Sequence, residues 1–305
     1  MAERNNVTIL GAGPAGISAA IYLKRAGFHP LVFEKQKPGG LLKHAHLVEN
    51  YPGFSYGITG LRLAERFVKH FHKMGVTTIP SEVHHVDYKN DAFIIRTEME
   101  TYLSTAIIIA TGTHPKKIRI NGASSLEGTQ LFYEPYAIPH QVNTVKKRIL
   151  VIGGGDIAFD YTLSLLDWSH KVTILCRSEP SCLPLLQKQA LRKGAVFYSK
   201  CIAQKVQRNR KELFLQCRQG DQNMELSTDF ILIACGRNPN ISFLSPSLKK
   251  HFDDHANAGK TSLPGLCFAG DVMRGTYRQT AIAVGDGIFA GMMMQRYLKE
   301  KGDAS

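Results

Sequence analysis

Apolar positions along the chain alternate between short β-branched runs and stretches of helical spacing. Val7-Thr8-Ile9-Leu10 is one such run and breaks at Gly11. Apolar residues then recur through Ile17, Ala20, Ile21 and Leu23 to Gly27, a residue suited to end a helix. Leu31-Val32-Phe33 follows and stops at Glu34. Strand, glycine turn, helix and strand predict a βαβ unit. Leu61, Ala64, Phe67, Val68 and Phe71 form one stripe, so residues 61–73 predict an amphipathic helix. Hairpin-like strands at 83–87 and 92–97 precede a buried strand at 105–110 that closes on Thr111-Gly112.

The pattern then restarts. Arg148-Ile149-Leu150-Val151-Ile152 meets three glycines, a helix is expected at about 156–166, and a returning strand at 171–176. Residues 196–218 predict short antiparallel strands, and 230–235 a strand ending at Gly236. Leu266-Cys267-Phe268-Ala269 ends at Gly270-Asp271, and a last helix is expected at about 279–299. This weak duplication predicts an α/β protein with two Rossmann-like three-layer nucleotide-binding domains.

Composition agrees with two domains. The chain has 305 residues, 44% of them hydrophobic, which excludes a disordered chain and leaves each domain a core of its own. The formal charge of +13 is spread out, and its densest patches are Lys146-Lys147-Arg148 and Arg208, Arg210, Lys211. No basic run is interleaved with aromatics, so phosphate-bearing ligands are expected and nucleic acid is not. Six scattered cysteines form no CxxC and no zinc spacing, so no metal is expected. The first residues lack a signal-peptide core and no apolar stretch reaches membrane length. The expectation is a soluble cytoplasmic protein with reduced cysteines and no membrane partner.

Gly11-Ala12-Gly13-Pro14-Ala15-Gly16 follows a strand and opens a helix. The first glycine permits the tight turn, the second lets backbone approach a pyrophosphate, and the third lets helix pack on strand. Free N–H groups at the helix start complete a phosphate site. Glu34 lies 23 residues after Gly11, where a carboxylate accepts from a ribose diol. Gly153-Gly154-Gly155-Asp156-Ile157-Ala158 repeats the motif, with Arg177 in place of the acid. Arginine there suits a 2′-phosphate, which favours NADPH and leaves NADH open. Asp156 suits a helix cap as well as a ligand contact. Two dinucleotides in one chain suggest electron transfer between a nicotinamide and a flavin.

The chain resembles the low-molecular-weight thioredoxin reductases, class II pyridine nucleotide-disulfide oxidoreductases. The resemblance rests on GAGPAG at 11–16, ENYPGF at 49–54, GITG at 57–60, ATG at 110–112 and VIGGGDIA at 151–158. CGRNPN at 235–240, FAGDV at 268–272 and YRQTAIAVGDG at 277–287 complete it. The resemblance implies an FAD domain built from residues 1–115 and 241–305, with an NAD(P)H domain inserted at 116–240. It implies FAD contacts at Gly11, Gly13, Pro14, Ala15, Gly16, Glu34, Lys35, Leu41, Leu42, Asn50, Val83, Thr111, Gly112, Gly270, Asp271, Arg278, Gln279 and Thr280. NADPH is assigned to Gly153, Gly155, Asp156, Ile157, Arg177 and Gly236. The family further implies a homodimer whose domains rotate between two states.

Three departures matter. Thioredoxin reductases carry a redox CxxC about 17 residues before the second glycine motif, and here that stretch is Tyr136-Ala137-Ile138-Pro139. Neither tyrosine nor proline relays electrons as a dithiol. One phosphate-facing arginine remains of three, because Cys176-Arg177-Ser178 replaces a His-Arg-Arg stretch and Cys182 takes the later basic position. Leu41-Leu42 stands where the family often has Gly-Gln-Leu. The thioredoxin-reductase-like ferredoxin–NADP reductases also lack the dithiol, and Gly153 to Tyr161 resembles their motif, although their C-terminal extension is missing.

The expected function is hydride transfer from NAD(P)H to FAD, then electron delivery directly to an external acceptor. That acceptor is an acidic redox protein or a small molecule, because residues 116–240 hold 18 basic and 10 acidic residues. Tyr136 is a candidate to stack at the acceptor site or simply to pack. His140 and His44 are candidate proton donors. The rival readings are a ferredoxin or flavodoxin–NADP reductase, a reductase fed by ferredoxin, and a non-catalytic flavin-binding sensor or scaffold.

Overall fold

The computed structural model describes residues 4–138, 146–252 and 259–302. The chain divides into two units. One comprises Met1–Lys43, Val48–His114 and Asn238–Ser305, the other His44–Leu47 and Pro115–Arg237, so the second is inserted within the first.

In the first unit β1 (Arg4–Leu10), α1 (Pro14–Arg25) and β2 (Leu31–Phe33) form the predicted βαβ. Proline at the first helical position, Lys24 and Arg25 in the last turn, and Gly27 just beyond it (φ +91°) all favour a helix of that length. In α2 (Gly60–Lys73) the Thr59 hydroxyl caps the start by accepting from the Arg62 N–H. Leu61 departs from the expected stripe: it lies in the first turn, half exposed, while Leu63, Ala64 and Phe71 are buried. β3 (Thr78–Ile79), β4 (Val83–Lys89), β5 (Ala92–Thr97) and β6 (Thr101–Ile109) follow, and β7 (Thr113–Pro115) leads out of the unit.

The second unit contains β8 (Leu131–Phe132), β9 (Arg148–Ile152), α3 (Asp156–Asp167), β10 (Lys171–Leu175), α4 (Pro184–Arg192) and β11 (Val196–Tyr198). Then come β12 (Cys201–Asn209), β13 (Glu212–Gln219), β14 (Gln222–Thr228) and β15 (Phe230–Ile233). The parallel sheet runs β11-β10-β9-β15-β8, and β12-β13-β14 form a separate antiparallel sheet. Here the structure corrects the sequence expectation twice. Residues 196–198 pair parallel to β10 instead of opening a meander, and the meander runs on to Thr228. The unforeseen α4 supplies the crossover that a parallel neighbour requires. Alternation along β9 sends Ile149 and Val151 to the helical side, with Ala158, Phe159 and Leu163. Leu150 and Ile152 point the other way, to Val206, Leu213 and Leu215 of the meander. Helices, parallel sheet and meander are the three layers.

β16 (Arg237–Pro239) pairs with β7, and the chain continues through α5 (Pro246–Lys249), β17 (Leu266–Phe268) and α6 (Thr280–Glu300). β17 adds parallel to β6, completing a sheet ordered β3-β2-β1-β6-β5-β4. Small residues let α1 and α6 cross closely: a Cβ on Gly287 would lie 2.0 Å from the Ala15 carbonyl oxygen. The expected α/β class, with two Rossmann-like three-layer domains and the second inserted in the first, is the fold found.

Candidate functional site

The first glycine turn sits at the carboxyl end of β1, where open parallel sheets bind ligands. Gly11 has φ +100°, and a Cβ there would meet the Ala110 carbonyl oxygen at 2.4 Å, so only glycine serves. Gly13 is the N-cap of α1 and makes no side-chain cap, leaving first-turn N–H groups of Ala15 and Gly16 unspent. The Glu34 carboxylate accepts from the Ala12 and Gln36 N–H groups, each at 2.8 Å, which fixes it beside the turn. Gly11, Glu34, Lys35, Val83 and Thr111 line one cavity of about 230 Å³, and Lys35 pairs with Glu82 on its wall at 3.0 Å. His84, Asn240 and Phe243 line it too and were not anticipated. Asn240 is explained by the returning chain, since its carbonyl accepts from the Thr111 hydroxyl and its N–H donates to the Gly112 carbonyl.

The segment carrying Leu41 and Leu42 closes over the same turn, anchored by the Gly39 N–H on the Ala12 carbonyl at 2.8 Å; Leu42 is buried and Leu41 half-buried. Asn50 Nδ2 donates to Gln279 Oε1 at 2.9 Å, joining two residues far apart in sequence. Arg278 lies just before and Thr280 opens α6. The Gly270-Asp271 turn is held by a pair that sequence reasoning missed. Asp286 accepts from the Gly270 N–H at 3.3 Å and is clamped by Arg274 through Nε at 2.8 Å and through Nη2. The signal was present in the Gly285-Asp286-Gly287 of the final helix, because a buried acid inside a helix needs a partner. The glycine cradle, the fixed carboxylate and the open helix start together fit the diphosphate and ribose of a dinucleotide.

In the second unit Gly153 ends β9, and a Cβ there would meet the Ala234 carbonyl oxygen at 2.3 Å. Gly155 is open, with nothing nearer an added Cβ than Ser181 Oγ at 3.9 Å. Asp156 caps, but not its own helix: its carboxylate accepts from the Leu183 N–H at 2.8 Å, at the start of α4. Ile157 and Arg177 are exposed, Gly236 is exposed at φ +98°, and Arg177 makes no ion pair among the described residues. A free cation beside an open glycine turn fits a phosphorylated nucleotide.

Tyr136 sits in a short 3₁₀ turn, Pro135–Ala137, within the second unit. Its ring makes edge contacts with Trp168 at 4.9 Å and with His44 at 5.0 Å. Tyr161 and Arg237 both bond to Glu134, Arg237 Nη1 at 2.7 Å, which anchors the turn from below. His140 lies outside the described residues. Asp160 accepts from the His46 N–H at 3.0 and 3.2 Å. Burial nevertheless pushes its carboxyl up to about 6, against those lowering bonds, and Asp156 adds to the rise. A carboxyl raised on folding stabilises fully below its unfolded value near 4, and that stabilisation is lost as the pH rises through about 6. Urea midpoints read from Trp168, the sole tryptophan, check this. Relative to Asp160→Asn, the wild type should lose at most about 3 kcal/mol between about pH 4 and 7. A flat difference would refute the burial argument.

The two glycine turns, each at the carboxyl edge of its own parallel strands, define a protein built for two nucleotides. Residues 5–287 match the family model described as pyridine nucleotide-disulphide oxidoreductase, and the chain belongs to that family. It is 31% identical to a thioredoxin reductase of Chlamydia pneumoniae, over 96% of this chain and 99% of the relative. The solved thioredoxin reductase of Lactococcus lactis, in its FR conformation, has 27% identity and a TM-score of 0.88, covering 97% of this chain and 99% of its own. That of T. acidophilum has 28% identity and a TM-score of 0.85, covering 96% and 98%. The chain is therefore an oxidoreductase of a family that uses FAD and NAD(P)H, and it lacks the closely spaced cysteine pair. No described helix is long and apolar enough to cross a membrane.

Proposed function

We propose that this protein is an FAD-dependent NAD(P)H oxidoreductase that delivers electrons from flavin directly to an external acceptor, with no internal dithiol, and that it acts as a homodimer. When bound, FAD takes hydride from the nicotinamide and releases electrons singly or in pairs. Gly11, Gly13 and Gly16 with the start of α1 receive the diphosphate, Glu34 the ribose, and Asp271 with Arg278 and Gln279 the remainder. Gly153, Gly155, Ile157, Arg177 and Gly236 receive the nicotinamide nucleotide.

The state of the thiols carries this reading. Burial pushes Cys176 and Cys267 up to about 12, burial with a hydrogen bond to Cys201 does the same to Cys217, and burial raises Cys182 and Cys235. Cys176, Cys235 and Cys267 donate to the carbonyls of Gly153, Ile152 and Gly259, as packing thiols do. Thiol–disulfide exchange needs a thiolate, and these sites oppose one. Tyr136, meanwhile, offers an aromatic edge where the relatives hold their redox pair. The basic excess of the inserted region favours an acidic redox protein as acceptor, with a small molecule as the other candidate.

Two experiments test the proposal. Flavin in the wild type should bleach rapidly with NADPH in anaerobic stopped flow, and turnover with the acceptor should survive iodoacetamide treatment of the reduced protein. Activity lost in step with alkylation would overturn the direct route. Arg177→Ala should raise KM for NADPH by about tenfold or more with little effect on NADH, because a phosphate-facing cation is lost. Equal effects on both nucleotides would defeat the assignment of Arg177.

A further inference from the structure

Only one side of α4 enters the core of the second unit. Leu186 and Ala190 face the hydrophobic cluster that holds Phe159 and Ile174. Pro184, Leu185, Lys188, Leu191 and Arg192 are all exposed, and their spacing of i, i+1, i+4, i+7 and i+8 puts them on one helical face. Leu185 and Leu191 are 54% and 46% exposed, and Leu183 at the helix start is 55% exposed. The face is held rigidly. The Leu183 N–H donates to Asp156 at 2.8 Å, the Ala195 N–H donates to the Ala190 carbonyl at 3.0 Å, and Lys193 binds Asp167.

The same face is positively charged. α4 contains no acid, and Lys188 and Arg192 belong to no ion pair among the described residues. The two carboxylates that precede α4 in the chain are spent, Glu179 on Lys200 at 3.2 Å and Asp167 on Lys193 and His46. Charge and shape select among occupants. A second copy docked by the same face would set Lys188 and Arg192 against their own equivalents. A lipid surface takes an apolar helix face about 5–10 Å below its headgroups. α4 is only about 13 Å long, is pinned at both ends and keeps its leucines half covered. A protein with carboxylates around a small apolar patch meets both features, covering the leucines and pairing with the two cations.

We propose that the outward face of α4 is the docking surface for an acidic electron-acceptor protein, with Leu183, Leu185 and Leu191 as apolar contacts and Lys188 and Arg192 as charge partners. The inference rests on the acceptor reading above and adds the place of contact. A face this small suits a short-lived complex, as repeated turnover requires.

The test is steady-state turnover of the flavin-loaded protein at saturating NADPH, with an acidic ferredoxin and an acidic flavodoxin as probes. K188E/R192E and L185S/L191S should each raise KM for the protein acceptor about fivefold or more, with kcat and flavin bleaching by NADPH unchanged. Added salt should raise the wild-type KM, and K188E/R192E should flatten that dependence. K205E/R218E makes the same charge change at exposed positions of β12 and β13, and should stay within about twofold of the wild type. Turnover that neither α4 variant disturbs would overturn the face and leave the acidic acceptor standing. No turnover with either probe would overturn the acceptor reading, and the face with it. An effect of K188E/R192E without one of L185S/L191S, or an equal effect of K205E/R218E, would reduce the contact to general charge and overturn the proposal. So would α4-dependent binding to phosphatidylglycerol vesicles with protein turnover untouched, or a changed oligomeric state in either α4 variant.

Discussion

Gly16→Ala should purify with about a tenth or less of its flavin and unfold several degrees lower than the wild type. A Cβ at Gly16 would stand 1.8 Å from the Gly11 carbonyl oxygen and 2.9 Å from its carbon, both backbone atoms, with Ile9 Cγ2 at 3.4 Å. No rotamer change relieves that contact, so either α1 moves off the sheet or the turn deforms. α1 is also held by α6 through Ala15 and the small residues of the final helix, so moving it disturbs the principal core of the unit. The turn therefore yields first, and with it the proposed diphosphate cradle. Gly13→Ala is the control for geometry, since its Cβ would meet only Gly40 Cα, at 3.8 Å. It should fold as well as the wild type, so any flavin it loses is lost to ligand contact and not to misfolding. Absorbance ratios of flavin to protein and thermal melts measure both effects. A Gly16→Ala protein with full flavin content would sink the close-packing argument.

Local chemistry explains what was legible in the sequence. Both glycine turns, their flanking strands and the helices after them depend on neighbouring residues and a fixed period, and they were found where expected. The α4 crossover was missed because the leucines of Pro184 to Arg192 form no buried stripe: Leu185 and Leu191 are exposed, and only Ala190 is buried. β11 reads as a hairpin strand in the sequence because three residues carry no sign of parallel or antiparallel partners. The site shows the same division. Glu34 was legible from its spacing to Gly11. Asp286 with Arg274, and Glu134 with Tyr161 and Arg237, were not, because their meaning arises from pairings separated by up to 103 residues. Asp156 could be read as a cap, but which helix it caps depends on a loop 27 residues later.

Glu134→Ala should cost the second unit about 3–5 kcal/mol, the second large effect expected of a single change. The Arg237 side chain is 7% exposed and Tyr161 is 6% exposed, and both direct their polar atoms to one carboxylate. Removing that carboxylate takes an ion-pair partner from a buried guanidinium and the acceptor from a buried phenol at once. Burial and the neighbouring carboxylate hold the Tyr161 phenol far above its ordinary pKa, so the hydroxyl stays protonated and continues to need an acceptor. Glu134→Gln should fall between, because the amide oxygen still accepts while the ion pair is lost. Urea unfolding followed at Trp168 gives these differences directly, since that ring lies in the same unit. Glu134 also immediately precedes the Pro135–Ala137 turn, so its loss should alter native Trp168 emission by releasing Tyr136 from its 4.9 Å edge contact. Glu134 thus positions the turn that carries Tyr136. If Glu134→Ala unfolded within about 0.5 kcal/mol of the wild type with unchanged emission, the turn would owe its place to packing alone, and the network would be incidental.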